Sequence, residues 1–103
     1  MKEKQRAYLA KYQARLEQWE AELKKRKAKA AEMAADLRIE HAKQTDDLER
    51  KVVKVRAHMT KLQQAGEDAW EAMKEGFEAA WEDLHSAWEK AKVKLGKAAR
   101  KSA

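Results

Sequence analysis

The chain has 103 residues and a net charge of +6, with 41% charged residues, three Gly, no Pro and no Cys. It is short enough for one domain, and it excludes disulfides and thiolate metal sites. Ala, Glu, Lys, Arg, Leu and Gln dominate, so the expected class is all-α, with long helices joined along thin apolar seams.

Behind Met1-Lys2-Glu3-Lys4-Gln5-Arg6 there is no apolar run. No signal peptide or membrane span is expected, and a cytoplasmic location follows as the default. From Leu9 the apolar positions run Leu9, Tyr12, Leu16, Trp19, Leu23, then Ala30, Met33 and Leu37. The spacing alternates 3 and 4, with Arg26 filling one slot, which is the heptad seam of a left-handed coiled coil. A stripe this narrow requires a partner. Lys24, Lys25, Arg26, Lys27 and Lys29 form a basic run. It reads first as a solvated helix face, and second as a contact for phosphate or for an acidic helix.

At residues 38–47 the seam slips, with Leu37 followed by Leu48. A stutter of this kind alters the supercoil without breaking the helix. Thr45 or Asp46 is the alternative, as the cap of a new helix. With no Gly or Pro nearby, a continuous helix is the preferred reading. The seam resumes at Leu48, Val52, Val55, Met59 and Leu62. Gly66 is suited to ending a helix, and Glu67-Asp68 to starting the next beside its positive end. The expected arrangement is one helix over about 3–64, a turn at about 65–68, a second helix over about 68–99 and a basic tail at 97–103. One uninterrupted rod is the rival.

The second helix carries Trp70, Met73, Phe77, Trp81, Leu84, Trp88, Ala91 and Leu95 on one stripe, with an eleven-residue repeat that runs nearly straight. Beside it lies a strip of small residues: Ala69, Gly76, Ala80, Ala87 and Ala98. Gly76 is expected to let two helices approach closely. Reflection about Gly66 sets residue i against residue 132 − i, so that Met73 meets Met59, Phe77 meets Val55, Leu84 meets Leu48 and Leu95 meets Leu37. This antiparallel hairpin leaves about the first thirty residues without an internal partner. Such an arm should not stay in water. The expectation is therefore a homo-oligomer whose arms dock on one another or on the aromatic face of a second hairpin. Charge supports this: residues 1–30 carry ten basic and four acidic groups, residues 66–91 two and eight.

Little in the sequence points to chemistry. Glu82 and His85 have the Glu-x-x-His spacing of a di-iron bundle helix, but the second pair that such a site needs is lacking, so no metal and no cofactor are expected. Both are read as pointing away from the Trp stripe. The many carboxylates sit on solvated faces, where nothing tunes them for acid–base work, and no enzyme is expected. The four Trp suggest lipid anchoring, but the acidic face over 67–89 favours core packing. Tyr8 and Tyr12, near basic residues, suit base stacking, though a heptad position accounts for Tyr12 more simply.

The run Tyr8, Lys11-Tyr12-Gln13-Ala14-Arg15-Leu16-Glu17-Gln18-Trp19-Glu20-Ala21-Glu22-Leu23, then Arg38-Ile39-Glu40, then Trp70, Gly76 and Trp81 in a Trp-x5-Gly-x4-Trp core, resembles small bacterial coiled-coil proteins described as stress-response proteins. The resemblance covers nearly the whole chain, although this tail is more basic than the pattern. It implies a helical, non-catalytic protein connected with stress, and no catalytic residue to carry over. The function expected from the sequence is a coiled-coil structural or protein-interaction module acting as a homo-oligomer. The alternative is a peripheral binder of anionic surfaces, membrane or nucleic acid, through residues 24–29 and the tail.

Overall fold

A computed structural model describes residues 2–102, with side chains described through Val93. The chain forms three α-helices: α1 (Glu3–Lys29), α2 (Ala35–Gln64) and α3 (Glu67–Ser102), with a single 3₁₀ turn at Ala30–Glu32. The class is all-α, as expected. The bundle measures 52 × 18 × 17 Å. At about 1.5 Å per residue, α3 spans that whole length.

The pairing of α2 with α3 follows the expected hairpin. Lys51 lies opposite Asp83 and His58 opposite Gly76, a register of 134 − i. This places the pairs named from sequence within a residue or two of their expected partners. The pair of Leu95 with Leu37 lies outside the residues whose side chains are described. The turn holds through Ala65 N–H donating to the Leu62 carbonyl, and Ala69 and Trp70 N–H donating to that of Gly66. Gly66 therefore begins α3 instead of closing α2 with a left-handed residue, since no residue among those described has positive φ. Residues 38–47 are helical throughout. Thr45 is buried, and its hydroxyl donates to the Ala42 carbonyl one turn back, so it caps nothing.

The expected sixty-residue helix does not form. It breaks at Met33 (φ −89°, ψ 153°) and Ala34 (φ −61°, ψ 153°), and α1 turns back along the hairpin. The reversal is tied by the Met33 N–H to the Ala30 carbonyl and by Arg38 Nη2 donating to the Met33 carbonyl at 3.1 Å. Local propensity opposes this break, because Ala, Glu and Met are strong helix formers. Burial overrides it. Docking α1 hides Leu9, Leu16 and Leu23, each at 5% exposure or less. Each such side chain contributes about 1.5–3 kcal/mol, against about 1 kcal/mol for each of the few helical hydrogen bonds forgone. The arm therefore finds within its own chain the partner that was expected from a second copy.

The result is an up-down-up bundle in which α1 and α3 run parallel. Lys2 pairs with Glu67 at 3.3 Å where both helices begin. Against α2, α1 is antiparallel, with Glu20 bonded to Arg56 and Lys27 to Glu49.

Candidate interaction site

The two faces of α3 are built differently. Toward α2 it presents small residues: Ala80 is buried, and Ala69, Gly76 and Ala87 are half-buried. A Cβ placed on Gly76 would lie 3.4 Å from the His58 ring, so this glycine faces α2 directly across the seam. Toward α1 the arrangement is the opposite. Among the described residues, no Cα of α1 comes within 8 Å of a Cα of α3. The space between is filled by rings.

The ring series begins where α1 begins. The Tyr8 ring meets Trp70 and Phe77 edge-on, and its hydroxyl donates to Glu78 Oε1 at 2.9 Å. Burial, reinforced by that carboxylate, holds the Tyr8 phenol well above its usual value. Tyr12 sits edge-on to Phe77 at 5.1 Å and to Trp81 at 4.6 Å. Trp19 then stacks parallel, within 17°, on Trp81 at 4.8 Å, Trp88 at 5.7 Å and His85 at 5.9 Å. Pairs of this geometry add about 0.5–1.5 kcal/mol each beyond area burial.

Most residues expected to pack do so. Leu9, Leu16, Leu23, Trp70, Phe77, Leu84 and Trp88 are buried, while Tyr12, Trp19 and Trp81 lie half-buried in the seam. Met73 is the exception. It is 38% exposed, at the rim of the α3 stripe. His85 corrects a second expectation, since it stacks against Trp19 instead of pointing away, with Nε2 3.7 Å from Glu89 Oε1. Glu82 stays on the exposed face. Among the described residues, no group of three or more His, Asp or Glu is placed to hold a metal ion.

The side chains of the basic run lie in different settings. Arg26 turns inward, its guanidinium 5.9 Å from the Trp88 ring centre, and Lys27 pairs with Glu49, which raises its affinity for the proton. Lys24, Lys25 and Lys29 remain exposed. Arg26 Nε lies 3.4 Å from Glu22 Oε1, an ion pair that falls short of hydrogen-bond geometry. Nearby His41 is 3% exposed, and its Nδ1 is likewise without a hydrogen bond. Sequence reasoning missed the buried His41 and the half-buried Arg26 near it. Their one trace was Arg26 standing in an apolar heptad slot.

No family model, curated protein or solved structure matches the chain. No helix among the described residues is long and apolar enough to cross a membrane.

Proposed function

We propose that the chain is a non-enzymatic protein-interaction module that works as a homo-oligomer, with the aromatic groove of its α2–α3 hairpin as a receptor for an amphipathic helix. The observation that carries this reading is the contrast between the two seams. The α2–α3 joint is backbone-close, whereas α1 meets α3 through side chains alone. A helix held by ring-filled contacts is the helix-in-groove mode of recognition. The connection with stress rests on the resemblance around Trp70, Gly76 and Trp81, and a cytoplasmic location fits it. Light scattering across a dilution series tests the reading. A dimer or larger species at tens of micromolar supports it, and a monomer throughout rules it out.

A second reading, binding to a polyanion, is favoured by a different set of residues from those first singled out. Lys43, Arg50, Lys54 and Lys61 are all exposed and lie along one side of α2. At 100° per residue they fall within about 40° of each other over about 27 Å. None of the four has an ion-pair partner among the described residues. If they act together, heparin binding should weaken steeply with salt, and neutralising Lys54 and Lys61 should flatten that slope. A slope unchanged by Lys54→Gln and Lys61→Gln would remove this reading.

A further inference from the structure

We propose that α1 is exchanged between two copies of the chain: residues 30–34 straighten, residues 3–64 become one helix, and each α1 docks in the aromatic groove of the other copy. This rests on the homo-oligomer reading above and specifies its partner surface.

The first argument is the hinge itself. Ala30-Ala31-Glu32-Met33-Ala34-Ala35 holds no Gly and no Pro, and no residue in it has positive φ. Nothing in its chemistry demands a turn. Only Met33 and Ala34 leave the helical region, and they return to it at no steric cost. The second argument is phase. Leu23, Arg26, Ala30, Met33 and Leu37 keep the 3-4 alternation straight through the break. A straightened helix therefore carries one unbroken stripe.

The third argument is conservation of contacts. Exchange restores every tie between α1 and the hairpin in the other copy: Tyr8 with Glu78, Trp19 with Trp81 and Trp88, Glu20 with Arg56, Lys27 with Glu49. The ties particular to the reversal are the Met33–Ala30 backbone bond and the Arg38 bond to the Met33 carbonyl. Regular helical bonds replace the first. The last argument is symmetry. In the closed form α1 pairs with α2 so that Glu20 meets Arg56 and Lys27 meets Glu49. Carried over between copies, that antiparallel register makes the long helix complementary to itself about a point near Arg38. The two copies then form an isologous, closed dimer. A short tether gives α1 an effective concentration in the millimolar range for its own hairpin, so the closed monomer prevails on dilution and the dimer at high concentration.

The test uses the full chain in two isotopic forms, mixed in equal amounts at high concentration. The dimer fraction is separated and treated with a carbodiimide, which joins amines to carboxylates already in contact. Exchange requires the Lys27–Glu49 link to carry mixed labels in about half of its copies, the statistical share for two-copy pairing. The Lys51–Asp83 link, within one hairpin in either arrangement, stays same-label. A dimer whose Lys27–Glu49 link is same-label overturns exchange while leaving the homo-oligomer reading standing. Absence of any dimer overturns both. Ala34→Pro supplies an independent arm. Its φ of −61° already suits proline and Met33 before it is extended, so the closed monomer accommodates the change. A proline inside a straightened helix should lower the dimerisation constant by at least about a hundredfold. A dimer that persists unchanged in this variant overturns the proposal.

Discussion

Gly76 and His41 show at the residue scale how closely the bundle is fitted. At Gly76 the added methyl of Gly76→Ala meets the His58 ring at ordinary contact, while helix propensity gains up to about 1 kcal/mol. Thermal melting should show that variant unchanged or slightly more stable. Gly76→Leu must displace His58 and should cost about 1–3 kcal/mol. Equal melting of the two would show that glycine is not required by the approach of α2 to α3. His41 adds a pH dependence. Burial, with Arg26 as a secondary cause, holds its imidazole below the usual value. The unfolded chain thus takes up a proton before the folded one. Stability is full above the ordinary histidine range and falls as pH drops through that range toward the folded value. Melting temperature from pH 8 to pH 5 should decline, and His41→Leu should flatten the decline. A parallel decline in the variant would assign it elsewhere. The sequence marked this spot only by placing Arg26 in an apolar slot. His41 gave no signal, because its burial depends on α1 folding back over it.

At the scale of elements, the legible parts are those decided locally. Gly66 with Glu67 and Asp68 located the turn, and matched stripes located the α2–α3 register to within two positions. The break before α2 was illegible because every residue there favours a helix, and the force that bends the chain acts from α3. Met73 was misplaced for a related reason: a stripe drawn on α3 alone does not tell which of its edges a third helix will cover. Gly66 offers a direct check on the turn. It caps α3, its φ is not in the left-handed region, and a Cβ there meets nothing within 4 Å. Gly66→Asp should therefore add a side-chain acceptor for the free N–H groups of α3. A gain of up to about 1 kcal/mol in urea unfolding is expected, and a loss would contradict the capping geometry.

For the whole molecule, the two seams imply a hierarchy of stability. The hairpin has close backbones and buried Leu48, Val55, Leu62, Phe77 and Leu84, whereas α1 adds three buried leucines and meets α3 only through side chains, several of them half-buried rings. Opening of α1 should precede global unfolding. Trp19→Ala removes the ring shared by Trp81, Trp88 and His85 and should cost about 3 kcal/mol. Hydrogen exchange should then quicken across residues 3–29 while α2 and α3 stay protected. Uniform acceleration would mean that the three helices form a single cooperative unit.

The near-parallel indoles of Trp19, Trp81 and Trp88 also have an optical consequence. Chromophores this close share their excited states, so the docked arm should give the far-ultraviolet dichroism an exciton couplet superimposed on the helical bands. Undocking moves one member away from the other two, and the couplet collapses while helix content barely changes. The protein thus carries an unlabelled reporter of whether its first helix is seated.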